Sequence, residues 1–189
     1  MKKRIYQYIV QNSNMNCNNK YVIQFGIQMI QMLSIAIMVA LIIALCMKML
    51  PEAVVFLLIL IPLRQNAGGY HTKHKITCAI MSISIYIGAL VIIKIYIINS
   101  IIQLLLCFID ILIIMHLTPV ENINNEFDDK EIEVYKSRSQ NILVFEFLIY
   151  MLLFISDKQY WSSIIIMSIT VVSALVCVGA LQNNIINKR

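Results

Sequence analysis

The chain has 189 residues, 60% of them hydrophobic and 13% charged, with a formal net charge of +5. Soluble domains carry about 45–50% apolar and about 25% charged residues, so a soluble enzyme, a disordered chain and a secreted disulfide scaffold are all excluded. What remains is an all-α integral membrane protein, read as a single membrane domain over residues 1–189. Its basic residues lie between apolar runs rather than along one stripe, so nucleic acid is not an expected partner.

Residues 1–25 are not expected to span. Met1-Lys2-Lys3-Arg4-Ile5 looks like the basic start of a signal peptide, but residues 11–20 are Asn-rich where an apolar core should follow, so a cleaved leader is not expected. Ile5, Tyr8 and Ile9 share a helical face beside the three basic residues, which suits a short interfacial helix; a polar tail is the alternative. Six apolar runs follow, at 26–47, 51–63, 77–98, 100–117, 141–156 and 162–181. A spanning helix needs about 20 apolar residues. The first, third, fourth and sixth runs meet this. The second and fifth are short, and must be tilted, extended by polar residues or only partly inserted. The alternation of a membrane barrel is absent.

Short links at Lys48–Pro51, Asn99–Ser100 and Asp157–Trp161 join the runs into three hairpins, and the long connections are 64–76 and 118–140. Of the 15 Lys and Arg residues, Lys48, Lys94 and Lys158 lie at or near the hairpin tips. The rest fall in the N-terminus, the two long connections and the C-terminus. The positive-inside rule therefore places both termini and both long loops in the cytoplasm, which needs an even number of spans. The loop 118–140 opens with Pro119 and contains Asp128, Asp129, Lys130, Glu131 and Glu133, a pattern expected of a solvated helical segment.

Ionisable residues within apolar runs are costly in lipid. Lys94 is near the end of its run and can snorkel. Asp110 is nearer mid-membrane; it can pair with Lys94 across the hairpin or orient a catalytic group. His116 and Glu146 are expected near headgroups. The five cysteines, Cys17, Cys46, Cys78, Cys107 and Cys177, form no CxxC pair, so neither a disulfide framework nor a metal site is expected, and no cofactor is implied. Cys46, Cys107 and Cys177 read as buried small hydrophobes.

The most informative stretch runs from Arg64 through Gly68-Gly69-Tyr70-His71 and His74 to Cys78. It is polar, glycine-broken and set between apolar runs. A thiol needs a nearby base or positive charge to act as a nucleophile at neutral pH, and Cys78 falls where the third helix should begin. On an unbroken helix His74 would be one turn from Cys78, about 6 Å in rise, and His71 two turns away at about 10.5 Å. Spacing alone favours His74; His71 reaches Cys78 only if the backbone bends between them. Without further support, a plain basic interfacial loop explains the stretch equally well.

Arg64, Gly68-Gly69-Tyr70-His71 and Cys78 seven residues later resemble the accessory gene regulator B (AgrB) family of bacterial membrane cysteine endopeptidases, which process the precursor of a quorum-sensing peptide. Pro119-Val120-Glu121-Asn122 and Tyr135-Lys136-Ser137-Arg138-Ser139 resemble the family's second loop, and the likeness extends over essentially the whole chain. Asn124-Asn125-Glu126-Phe127 departs from it where family members often carry lysine and proline. The resemblance implies that Cys78 is the nucleophile and His71 its base, with Arg64, Gly68 and Gly69 in support. Asp110, Glu121 and Asn122 are further candidates for orienting or structural roles. It also implies a membrane-associated amphipathic pro-peptide substrate with an internal cysteine and an acidic C-terminal tail, cleaved through a thioester and closed into a thiolactone. A homodimer in the bilayer is a further implication. The competing reading is a small multi-span transporter without covalent chemistry.

Overall fold

The computed structural model describes residues 17–70, 75–120 and 129–187. It is helical: α1 Cys17–Met47, α2 Leu50–Ala67, α3 Lys75–Ile95, α4 Ser100–Leu117, α5 Asp129–Ile155 and α6 Gln159–Asn187. Each contains a stretch long and apolar enough to cross a bilayer, which makes this an all-α membrane protein with six membrane-capable helices. The expected interfacial segment 1–25 lies outside the described residues up to position 16; from Cys17 onward the chain already belongs to α1.

The two short runs reach spanning length by recruiting polar residues. The second continues through Arg64-Gln65-Asn66-Ala67, although Pro62 lies inside the helix. Proline removes one backbone donor, and the Asn66 side chain binds back to the Pro62 carbonyl at 2.8 Å. The fifth begins at Asp129, so the second half of the 118–140 connection is helix. Two of the hairpin tips close in the same way. Lys48 (φ 57°) and Asp157 (φ 56°) adopt the left-handed conformation just past α1 and α5. The amides of Lys48 and Met49 bind Leu45 O and Ala44 O, and those of Asp157 and Lys158 bind Phe154 O and Leu153 O. This double pattern is the Schellman closure, which satisfies carbonyls left over at a helix end. At the middle tip, Asn99 caps α4 by accepting from the Ile101 amide at 3.1 Å.

The described chain divides into two compact units at Ile42/Ile43. The first comprises most of α1, where large apolar side chains such as Met29, Ile35 and Met38 are exposed. In the second unit α6 is the centre, packing against α2, α3, α4 and α5. Its Ile165, Ile169, Val172 and Val176 meet Leu63, Ile114 and Tyr150 in one apolar core. A polar lock ties α4 to α6 near the hairpin tips. Gln103 is fully buried; its Nε2 donates to Ile98 O (2.7 Å) and Ser163 Oγ (2.8 Å), and its Oε1 accepts from Ser162 Oγ (2.8 Å). Buried polar groups persist in an apolar interior when their hydrogen bonds are made internally, and here nearly all of Gln103's capacity is used.

Candidate functional site

The site forms where α2 ends. Gly68 caps that helix with φ 72° and ψ −146°, and Gly69 follows at φ 121°. Side-chain-bearing residues rarely occupy that region. The double glycine ends α2, and Tyr70 lies outside any helix.

Three groups hold this turn, two of them distant in the sequence. Val120, just beyond α4, donates its amide to Ala67 O at 3.0 Å and pairs with Gly68 in an isolated parallel bridge. A side chain on Gly68 would collide with the Val120 carbonyl. From the other side, the Tyr70 amide donates to Leu175 O on α6 at 2.9 Å. A helical carbonyl retains a second lone pair for such a bond. The approach is close because α6 carries Gly179 there: a Cβ on Gly179 would lie 2.6 Å from Gly69 C and Tyr70 N. From within α2, Arg64 Nη2 donates to Tyr70 O at 2.8 Å. A Cβ on Gly69 would lie 2.6 Å from Arg64 Nη1 and 2.9 Å from Leu175 O. Val120 is itself anchored. Thr118 Oγ1 binds Ile114 O (2.6 Å) and meets Ser139 Oγ of α5 at 3.1 Å, while Ser139 Oγ donates to Lys136 O (2.9 Å). Two of the stretches that carry the family likeness, those containing Gly68 and Val120, thus meet at Gly68.

Cys78 lies in α3, three residues after the first described position of that helix, and is partly buried. It is within the range at which its charge and that of Arg64 interact. Tyr70 lies outside any helix, and α3 is described from Lys75 onward. His71, His74, Glu121 and Asn122 lie outside the described residues. Among those residues no group of three or more His, Cys, Asp or Glu could hold a metal ion.

Several other expectations are corrected. Asp110 does not pair with Lys94. Its carboxylate accepts from Thr170 Oγ1 at 2.6 Å and from Ser173 Oγ, both on α6, and the residue is 2% exposed. Lys94 donates instead to Met47 O at 3.1 Å, near the α1–α2 tip. Depth explains the difference: Lys94 is in the last turn of α3, whereas Asp110 is ten residues into α4, about 15 Å along its axis. Glu146, expected near headgroups, is 2% exposed and lies within α5 well past its start. Cys107 is buried as expected, but Cys177 is only partly so and Cys46 is exposed.

Leu175 and Gly179 were not legible as site residues. The one available signal was a lone glycine within the last apolar run. No curated protein and no solved structure matches the chain. The model of one family, accessory gene regulator B, matches residues 2–178. With the six membrane-capable helices and the Gly-Gly turn packed beside Arg64, this match establishes that the chain belongs to the AgrB family of multi-pass membrane proteins.

Proposed function

We propose that this protein, as a component of the accessory gene regulator system, is a cysteine endopeptidase that cleaves a quorum-sensing pro-peptide and closes its N-terminal part into a thiolactone. The observation that carries this reading is the junction of Gly68-Gly69-Tyr70 with Arg64, Val120 and Leu175, eight residues before Cys78 in the chain. A transporter without covalent chemistry needs no such convergence on a Gly-Gly turn.

Cys78, as thiolate, attacks a backbone carbonyl of the precursor and forms a thioester. His71, next in sequence to the pinned Tyr70, takes the role of base and then protonates the departing amine. The C-terminal fragment leaves. A cysteine within the retained peptide then attacks the thioester, so Cys78 departs and a ring thioester replaces the enzyme thioester. Because one thioester replaces another, closure is nearly neutral bond for bond. The competing reaction is hydrolysis, so the site must hold the peptide thiol close and keep water out. The precursor is an amphipathic peptide on the inner leaflet, and its acidic tail meets Lys73 and Lys75. Glu121 and Asn122 directly follow Val120 in sequence and keep an orienting role in this reading, whereas Asp110 serves to join α4 to α6.

The test is mass spectrometry of the purified protein in lipid with its precursor. An adduct is expected on Cys78 alone, and Cys78→Ala should remove both adduct and cleavage. Cleavage by Cys78→Ala at more than a trace of the normal rate would overturn the assignment.

A further inference from the structure

We propose that Arg64 Nη1 is the donor that receives the scissile carbonyl oxygen as it becomes an oxyanion. The inference rests on the cysteine-protease reading above and assigns a catalytic role within it. Nη1 is buried and has no acceptor among the described residues. Leaving a buried donor unsatisfied costs about 1–3 kcal/mol, and more for a charged group. Native proteins leave few such groups, and those few call for a functional explanation.

The guanidinium is also aimed. Its five N–H groups form a rigid planar fork, so the 2.8 Å bond from Nη2 to Tyr70 O fixes where Nη1 points. Nη1 packs where Gly69 lacks a side chain; a Cβ there would come within 2.6 Å. The vacant donor therefore sits against the Gly-Gly turn, one nitrogen away from the carbonyl that precedes His71. Arg64 is also close enough to Cys78 for their charges to interact. An oxygen anion formed beside the sulfur is the ligand such a donor would take.

In the reaction, the sulfur lone pair forms the C–S bond and the carbonyl π pair moves onto oxygen, where Nη1–H holds it. When the C=O bond re-forms, the C–N bond breaks and the amine leaves with a proton from His71. The competing occupant of Nη1 is a carboxylate of the precursor's acidic tail.

Two small reagents separate these roles without the natural substrate. Iodoacetamide alkylates the Cys78 thiolate by displacement and makes no oxyanion. p-Nitrophenyl acetate acetylates the same sulfur through a tetrahedral oxyanion. Both rates would be measured on the full-length protein in nanodiscs, with Cys78→Ala as background. Arg64→Lys keeps the charge but loses the fork. The ratio of its acetylation rate to its alkylation rate should fall toward the about 10²–10³-fold loss typical of a deleted oxyanion donor. Should Arg64→Lys fail to assemble, Arg64→Gln replaces it, with a fall in the ratio of acetylation to alkylation as the expected result. A proportional fall in both rates would show that Arg64 acts only through the thiolate or the turn, and would overturn the proposal. Unchanged acetylation would overturn it too, and would leave the tail carboxylate as occupant. If wild-type Cys78 is inert to both reagents, the protease reading itself fails.

Discussion

At position 69 an alanine would meet three obstacles at once: a backbone at φ 121°, Arg64 Nη1 at 2.6 Å and Leu175 O at 2.9 Å. The two contacts make this glycine more than a turn former, since its missing side chain lets the guanidinium and α6 close on the same point. Positions 71 and 74 carry the choice between histidines. Helical spacing alone favours His74, whereas the family resemblance favours His71. His71 directly follows a residue pinned through both its amide and its carbonyl. His71→Ala should therefore abolish precursor cleavage while the protein stays folded, and His74→Ala should retain most of it. A general acid and base contributes about 10²–10⁴-fold, so single-turnover rates of the two variants should differ by orders of magnitude. Equal rates would remove His71 from the mechanism.

At the scale of the element, α6 is both the core helix and one wall of the site. Gly179→Ala sets those two roles against each other. Within a helix, alanine is favoured over glycine by about 1 kcal/mol, so the helix itself gains. The added Cβ, however, lies 2.6 Å from backbone atoms of Gly69 and Tyr70, which cannot yield as a flexible side chain would. The turn must move off α6, at the expense of the Tyr70–Leu175 hydrogen bond, worth about 1 kcal/mol net. The variant should thus unfold at an unchanged or slightly higher temperature and cleave at least tenfold more slowly, the factor that about 1.4 kcal/mol at the transition state would give. Normal cleavage would show that the seat on α6 is dispensable. This role could not be read from the sequence. A glycine in an apolar helix signals close approach without naming what approaches, and its partners lie 110 and 109 positions earlier in the chain. Cys78 at a helix start was legible because a composition break marks the helix boundary. The partners of Asp110 were not, because Thr170 and Ser173 are small hydroxyl residues of a kind common in apolar runs.

At the scale of the molecule, helix lengths place the site. α2 and α4 have 18 residues each, about 27 Å, which nearly matches the roughly 30 Å hydrocarbon core. α5 and α6 have 27 and 29 residues, about 40 and 44 Å, and so extend past the ends of the two short helices. The Gly68–Val120 junction joins the ends of the short pair. The proposed peptide chemistry therefore belongs at the membrane edge, with α6 continuing past it through Gly179 to Asn187. Which side that is follows from charge. The long connections and termini hold most of the 15 basic residues, and six spans return the chain to the side where it began. The positive-inside rule then predicts that the junction faces the cytoplasm, where an unprocessed precursor would be met. In a cysteine-free background, His74→Cys should react with a membrane-impermeant maleimide only after permeabilisation, and Lys158→Cys at the opposite tip should react in intact cells. Efficient labelling at position 74 from outside would invert the topology and require the precursor to cross the bilayer before it is cut.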